Sequence, residues 1–295
     1  MLGIIIVEYK STKQTIEFVL KQISKLNNDY KVVICSNEAT EEAIQAFHNQ
    51  LDAEIVTSGV ANLNKTVFII PSNENLGFAK GNNLGTEFLI KHFHPEYLLF
   101  SNNDIVINDP DTVNHLVAKL QANPKIGMIG PEILGLDDRR QSPEPYTSLW
   151  NRYVWMYLTT PFLSLKVKKR IFDIDYSQNA QEGFHYRLMG SFFLMRTDDF
   201  IKCGMMDPNT FLYAEEMILS ERLAAIGKKA YFLPYVSVVH AHGATTGRHI
   251  PRRKGKLIQF KSDAYYYKAY RKYSDLSISL CSILYRIICI LKYPK

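Results

Sequence analysis

Four short stretches of this 295-residue chain hold residues able to do chemistry. Glu215 and Glu216 stand side by side where a run of helical periodicity begins. Adjacent carboxylates there act either as partners of a helix N-terminus or as a general base, one of them facing a cleft and shifted by its neighbour toward a useful pKa. Ser101-Asn102-Asn103-Asp104 closes an apolar run. A single acid among amides at such a place is either an ordinary strand exit or a holder of a divalent ion that bridges phosphates. In residues 73–83, Gly77 and Gly81 precede a helix, where bare backbone approaches an anion most easily; the stretch is neither a P-loop nor a dinucleotide fingerprint. His240 and His242 follow a strand-like run, and a neutral imidazole beside a carboxylate suits a manganese-type ion, while a lone histidine there is more often structural.

The elements that must position these groups alternate between strand and helix. Residues 2–7 form a continuous apolar run, as in a central parallel strand covered on both faces. Residues 12–26 carry Ile16, Val19, Leu20 and Ile23 at helical spacing. Strands are predicted at 31–34, 67–70 and 97–100, with helices at 41–47 and 79–93, a βαβ pattern. In open α/β sheets ligands gather outside the carboxyl ends of the strands, which is where Asp104 falls. Later come short strands at 126–129, 188–195 and 229–233, a loop at 131–145, an aromatic and basic stretch at 146–170, and a helix at 215–226. On this reading the sheet forms the first half, and the second half supplies loops and covering pieces.

Composition narrows the class. With 46% hydrophobic and 22% charged residues the chain is not disordered. A mean hydropathy of −0.14 excludes a polytopic membrane protein. Cys35, Cys203, Cys281 and Cys289 form no C-x-x-C pair, so a reducing compartment without a disulfide framework or zinc knuckle is expected. The apolar N-terminus lacks a basic flank and reads as a first strand, not a signal peptide. A net charge of +6 suits nucleic acid, anionic lipid or a phosphorylated substrate, so its location must decide. Beyond Gly247 lie Arg248, His249, Arg252, Arg253, Lys254 and Lys256, then a Tyr-rich helix at 263–273 and an apolar segment at 276–291. That segment falls short of the ~20 residues that span a bilayer. It packs on the domain or inserts into an anionic membrane surface, and the basic and aromatic residues upstream favour the surface. No nucleic-acid motif accompanies the charge, so nucleic acid is not an expected partner.

Taken in order, these stretches resemble glycosyltransferase family 2, especially its bacterial rhamnosyltransferase-like members. Ile4 to Val7 followed by Glu8-Tyr9-Lys10-Ser11 looks like the family's opening strand and turn. Residues 75–83 resemble its Asn-Leu-Gly-Phe-Ala-Gly-Gly-Asn-Asn signature, with Lys80 for a glycine. Asn102-Asn103-Asp104 falls at its metal motif, Gly190 to Arg196 at its acceptor-side strand, and Glu215-Glu216 at its acidic pair. Arg222 matches an arginine further along that helix, and residues 240–246 match the His-rich closing loop. Three positions depart: Ser36 stands where the family has a base-contacting Asp, Asn102 replaces the first metal carboxylate, and Ile218 replaces an Asp two places after the base.

The resemblance implies an α/β GT-A fold, a Rossmann-like sheet with helices on both faces and a C-terminal helical tail. The domain would cover 1–247, with a nucleotide-sugar half at 1–107 and an acceptor half at 108–247, and the tail 248–295. It implies an inverting hexosyl- or deoxyhexosyltransferase that builds surface polysaccharide on a saccharide or lipid-linked acceptor, with Glu216 as base and Glu215 in reserve. Asp104 and His240 would hold Mn2+ or Mg2+ together with the diphosphate. Tyr9, Ser36, Asn75, Gly77, Asn82 and Asn103 would line the pocket for a UDP- or dTDP-sugar. The expected location is the cytoplasmic face of the inner membrane. The alternatives are a degenerate GT-A domain that binds without turnover and a nucleotidyltransferase, whose Gly-rich basic N-terminal loop residues 1–13 do not contain.

Overall fold

The computed structural model describes residues 1–57, 61–241 and 252–292. Its strands are β1 (Leu2–Tyr9), β2 (Tyr30–Asn37), β3 (Glu54–Ile55), β4 (Val67–Pro71), β5 (Tyr97–Ser101), β6 (Ile105–Ile107), β7 (Ile126–Leu134), β8 (Gly183–His185), β9 (Phe192–Arg196) and β10 (Lys229–His240). The helices are α1 (Thr12–Lys21), α2 (Glu41–Leu51), α3 (Gly77–Phe93), α4 (Thr112–Ala122), α5 (Met156–Thr159), α6 (Leu165–Phe172), α7 (Tyr176–Asn179), α8 (Thr197–Lys202), α9 (Glu215–Ala225), α10 (Arg252–Ala269) and α11 (Asp275–Lys292). A π-helical turn, Asn151–Trp155, leads into α5.

Side chains alternate along the strands, and both faces of the sheet are covered. Ile4, Ile6, Val32, Ile34 and Leu194 join α1, α2 and α4 on one face. Ile5, Val33, Leu98, Phe100 and Phe193 join α3, α8 and α9 on the other. The strands make one sheet in the order β3-β4-β2-β1-β5-β9-β7-β10-β6, with β8 also on β10. β1, β2, β4 and β5 run parallel, and β9 enters antiparallel between β5 and β7.

The sheet is therefore not confined to the first half, as the sequence led us to expect. β7 and β10 both run past the predicted ends at 129 and 233. Each carries a proline, Pro131 and Pro234, where their parallel register shifts between Leu233 and Ser237. A bulge is one of the few places where a strand accepts proline, so the breakers mark a kink and not an end. β9 starts at Phe192, four residues after the predicted start, and β3, β6 and β8 are too short to show in the periodicity.

The C-terminal helices form a third apolar cluster with the catalytic half. Tyr266, Tyr267, Cys281, Tyr285 and Cys289 are buried against Leu149, Tyr153, Ala214 and the α9 residues Met217 and Ile218. This accounts for Ile218, since an aspartate there would be buried among aromatic rings. The expected Tyr-rich surface helix is thus largely core, and it begins at Arg252, upstream of the predicted 263. The proposed boundary at 247/248, with His242 and the basic residues around Arg248, lies outside the described residues. Asp263, fully buried, ties α10 to the π turn: its Oδ2 lies 2.8 Å from Arg152 Nε and accepts from the Tyr153 hydroxyl. Replacing Asp263 with Ala should lower the unfolding free energy by roughly 3–5 kcal/mol, because Arg152 loses its buried counter-charge. A urea midpoint unchanged from the parent would mean that α10 is a detachable tail.

Candidate active site

The chemistry-bearing stretches converge at the carboxyl ends of the parallel strands. Asn102 N–H donates to Ser191 O at 2.8 Å, which holds the end of β5 to the start of β9. Ala241 N–H donates to Asp104 O at 2.9 Å, and His240 pairs with Ile105, so the end of β10 closes on the same turn. Asn103 reaches across to α1, donating to Ser11 Oγ at 2.8 Å and to Thr15 Oγ1 at 2.6 Å.

Asp104 and His240 form a close pair, Oδ1 to Nε2 3.2 Å, and both side chains are nearly enclosed. His240 Nδ1 lies 2.7 Å from Gln141 Oε1; with Nδ1–H donated there, Nε2 faces the carboxylate as an acceptor. Asp104 Oδ1 is buried and has no hydrogen-bond donor. In that tautomer a carboxylate oxygen and an imidazole nitrogen face each other at a distance where a cation could be held between them. No set of three His, Cys, Asp or Glu side chains converges among the described residues. Gln141, which orients the imidazole, gave no signal in the sequence because it sits in a loop without periodicity.

The acidic pair opens α9, whose first turn has no side-chain cap. Tyr213 and Ala214, just before it, adopt left-handed backbone at φ 73° and 69°. Non-glycine residues held there cost about 1–3 kcal/mol each, so their neighbours must enforce the conformation. Gly77 is one of them: its φ is +80°, and a Cβ on it would sit 2.2 Å from Phe211 O. Phe78 N–H donates to that same carbonyl at 3.0 Å. From the far side, Ser262 Oγ of α10 donates to Leu212 O at 2.7 Å.

The two carboxylates meet different surroundings. Glu215 is buried, its Oε1 has no donor, and burial followed by the charge of Glu216 pushes its pKa up to about 8. Glu216 is half-buried, and its Oε1 accepts from Gly190 N–H at 3.1 Å. Position 190 must be glycine for that contact, because a Cβ would lie 2.8 Å from Oε1. Arg222, further along α9, does not reach the acidic pair. It donates to Gly204 O and Met205 O and lies 3.2 Å from Asp207 Oδ2, bracing the loop that leads to Phe211.

The expected donor-pocket residues divide into two groups. Tyr9 (hydroxyl to Glu38 Oε2, 3.3 Å), Asn75 (Oδ1 accepting from Gly77 N–H, 3.0 Å) and Asn103 are partly exposed at the strand ends. Ser36 and Asn82 are buried and bonded within the protein, Ser36 to Glu8 Oε2 at 2.6 Å and Asn82 to Phe78 O at 2.9 Å. Gly81 serves close packing and not a ligand: a Cβ there would sit 2.9 Å from Val7 Cγ2. The sequence reading missed Glu8. It is buried at the end of the central strand, accepts from Ser11 N–H at 2.6 Å, and so fixes the turn that carries Tyr9. An acid ending an apolar strand was the available signal, the same one that picked out Asp104. A cavity of about 480 Å³ beside α6 and α7, lined by Lys169, Tyr176 and His185 among others, contains none of these residues.

Comparison with known proteins gives the family and the fold. The family profile described as Glycosyltransferase like family 2 matches residues 2–254. A curated relative, the rhamnosyltransferase WbbL of Escherichia coli K12, is 22% identical over 233 residues, 76% of this chain and 78% of its own. The mannosyltransferase of Pyrobaculum calidifontis, solved with GDP-Man and Mn2+, superposes at a TM-score of 0.58 with 13% identity over 98% of this chain and 73% of its own. GalNAc-T7, solved with UDP, GalNAc and Mn2+, superposes at 0.55 with 14% identity over 99% of this chain and 55% of its own. With a profile match over most of its length, and with GT-A enzymes as its structural neighbours, this chain belongs to glycosyltransferase family 2.

Proposed function

We propose that this glycosyltransferase moves a sugar from a nucleotide-sugar donor, with inversion at the anomeric carbon, to a hydroxyl of a saccharide or lipid-linked saccharide in the assembly of a surface polysaccharide. The observation that carries the reading is the unequal acidic pair. Burial raises the pKa of Glu215 and favours its protonated form, while Glu216 lies at the edge with one oxygen held by Gly190 N–H. Glu216 takes the proton of the acceptor hydroxyl as that oxygen attacks the anomeric carbon. The bond from that carbon to the diphosphate oxygen breaks on the opposite side, and the nucleoside diphosphate leaves.

Asp104 and His240 would hold Mn2+ or Mg2+, which supplies charge compensation for the departing diphosphate. The Asp104 oxygen without a donor and the imidazole turned by Gln141 support that assignment. Relatives of known structure, bound to GDP-Man or UDP with Mn2+, support nucleotide-sugar use in general. We assign a UDP- or dTDP-sugar to the ends of β1, β2 and β5. Tyr9, Asn75 and Asn103 touch it, while Ser36, Gly77 and Asn82 shape the walls behind them.

Glu216→Gln should lower kcat by ~10²–10⁴ while nucleoside diphosphate affinity, measured by calorimetry, stays unchanged. A variant that keeps most of the parent rate would remove Glu216 from the role of base. Chelation should abolish transfer, with Mn2+ or Mg2+ restoring it, and Gln141→Ala should raise the metal concentration needed by roughly 10–100-fold. Full activity after exhaustive chelation would sink the metal assignment.

Glu215 also sets a pH dependence of stability. Its folded pKa, about 8, lies above the ordinary value of 4.5, so folding is favoured while the group is protonated. That contribution is present below 4.5 and drains away as pH rises toward 8. Urea midpoints of Glu215→Gln should accordingly fall less steeply than those of the parent across this window; parallel curves would show that Glu215 titrates normally.

A further inference from the structure

Helix α6 buries none of its side chains, although Leu165, Val167 and Ile171 are apolar. A helix of this length has little intrinsic stability, and exposed apolar side chains give it no packing in return. Phe162, in the turn before it, is 86% exposed, and Trp155 on the π turn is 48% exposed. Lys166, Lys168 and Arg170 interleave with the apolar residues.

A second exposed stripe lies on α11. α11 turns Cys281, Tyr285 and Cys289 to the core, yet Leu276, Ile283, Ile287 and Leu291 face outward along its length, with Leu291 78% exposed. α11 runs in the same direction as residues 150–157. Trp150 Nε1–H donates to Ser277 Oγ at 3.0 Å, the Tyr157 and Tyr285 rings are 5.8 Å apart, and Lys292 Nζ sits 4.7 Å over the Tyr157 ring. The far end of α11 therefore meets the start of the α5–α6 segment. No helix among the described residues is long and apolar enough to cross a membrane.

We infer that the α5–α6 segment and the outer side of α11 form one face that lies on an anionic lipid bilayer, its apolar side chains inserted at headgroup depth and its lysines and arginines against lipid phosphates. Interleaved basic and apolar residues on short exposed helices are what such a surface recognises. A second copy of the chain would have to bring together two faces carrying the same positive charge, which argues for lipid as the occupant. The inference goes beyond the transfer reaction and does not depend on it.

The test uses the full chain, since α11 also holds core residues and its removal would unfold the third cluster. Co-sedimentation is measured with vesicles of phosphatidylcholine and with vesicles of an equal mixture of phosphatidylcholine and phosphatidylglycerol. The parent should pellet with the mixed vesicles, less so at high salt. F162D/I171D should bind about tenfold or more weakly, because each change withdraws an inserted apolar side chain. K166E/K168E should lose affinity for the anionic vesicles alone. The unfolding midpoints and nucleoside diphosphate affinities of both variants should match the parent, because none of these side chains is buried. The inference is overturned if the parent binds neither vesicle while still binding nucleoside diphosphate, or if the variants bind as the parent does. A parent dimer that F162D/I171D splits into monomers would likewise assign the face to a second copy.

Discussion

Leu219 and Leu223 of α9 pack toward the sheet, while Met217 and Ile218 pack toward α10 and α11, so the helix has apolar contacts on opposite sides. Shifting it in either direction would open a gap in one cluster, and close-packed interiors resist such gaps. Its amino terminus is consequently fixed relative to β9, and the Gly190 contact to Glu216 can hold a narrow geometry. The left-handed pair before it, Tyr213 and Ala214, is kept in place by the same confinement: the Gly77 backbone presses from one side and Ser262 holds from the other. Local strain at the rim thus persists because the helix behind it cannot yield.

The confinement also divides the labour of two residues that are identical in chemistry. One turn of backbone places Glu215 inward, where burial and a neighbouring charge oppose ionisation, and leaves Glu216 at the edge. A donor-free oxygen inside and a backbone-bonded one outside put adjacent glutamates in unlike surroundings, and burial raises the pKa of the inner one. Asp104 and His240, across the strand ends, are instead a closely paired acid and imidazole, 3.2 Å apart and nearly enclosed.

Much of this was legible in the sequence where periodicity was strong. The continuous apolar run of β1, the strand ending at Asp104 and the helix opening at Glu215 all emerged near their observed bounds, because doubly covered strands and buried helices leave dense patterns. The later strands were truncated in the reading because Pro131 and Pro234 look like terminators, and a bulge that accommodates both depends on a partner far along the chain. Glycine spacing at 77 and 81 marked close approach but could not name Phe211 O and Val7 as the neighbours that a Cβ would meet. The tail was harder still. Apolar and aromatic residues compose a core and a lipid-facing surface alike, and α11 contains both on opposite sides. Gln141 acts through a contact to His240 that no local pattern encodes.

The bonds between the C-terminal helices and the middle of the chain are long in sequence. Asp263 reaches back to Arg152, Tyr267 donates to Thr147 O, and Ser277 meets Trp150. During synthesis the side of α9 that α10 and α11 cover remains bare until those helices have left the ribosome. Contacts of such high sequence separation form late, since a large loop must close before they contribute. A partly made chain therefore carries every residue of the acidic pair and the strand-end cluster without the packing that aligns them. Alignment of the acidic pair thus waits on the packing of α10 and α11 against α9.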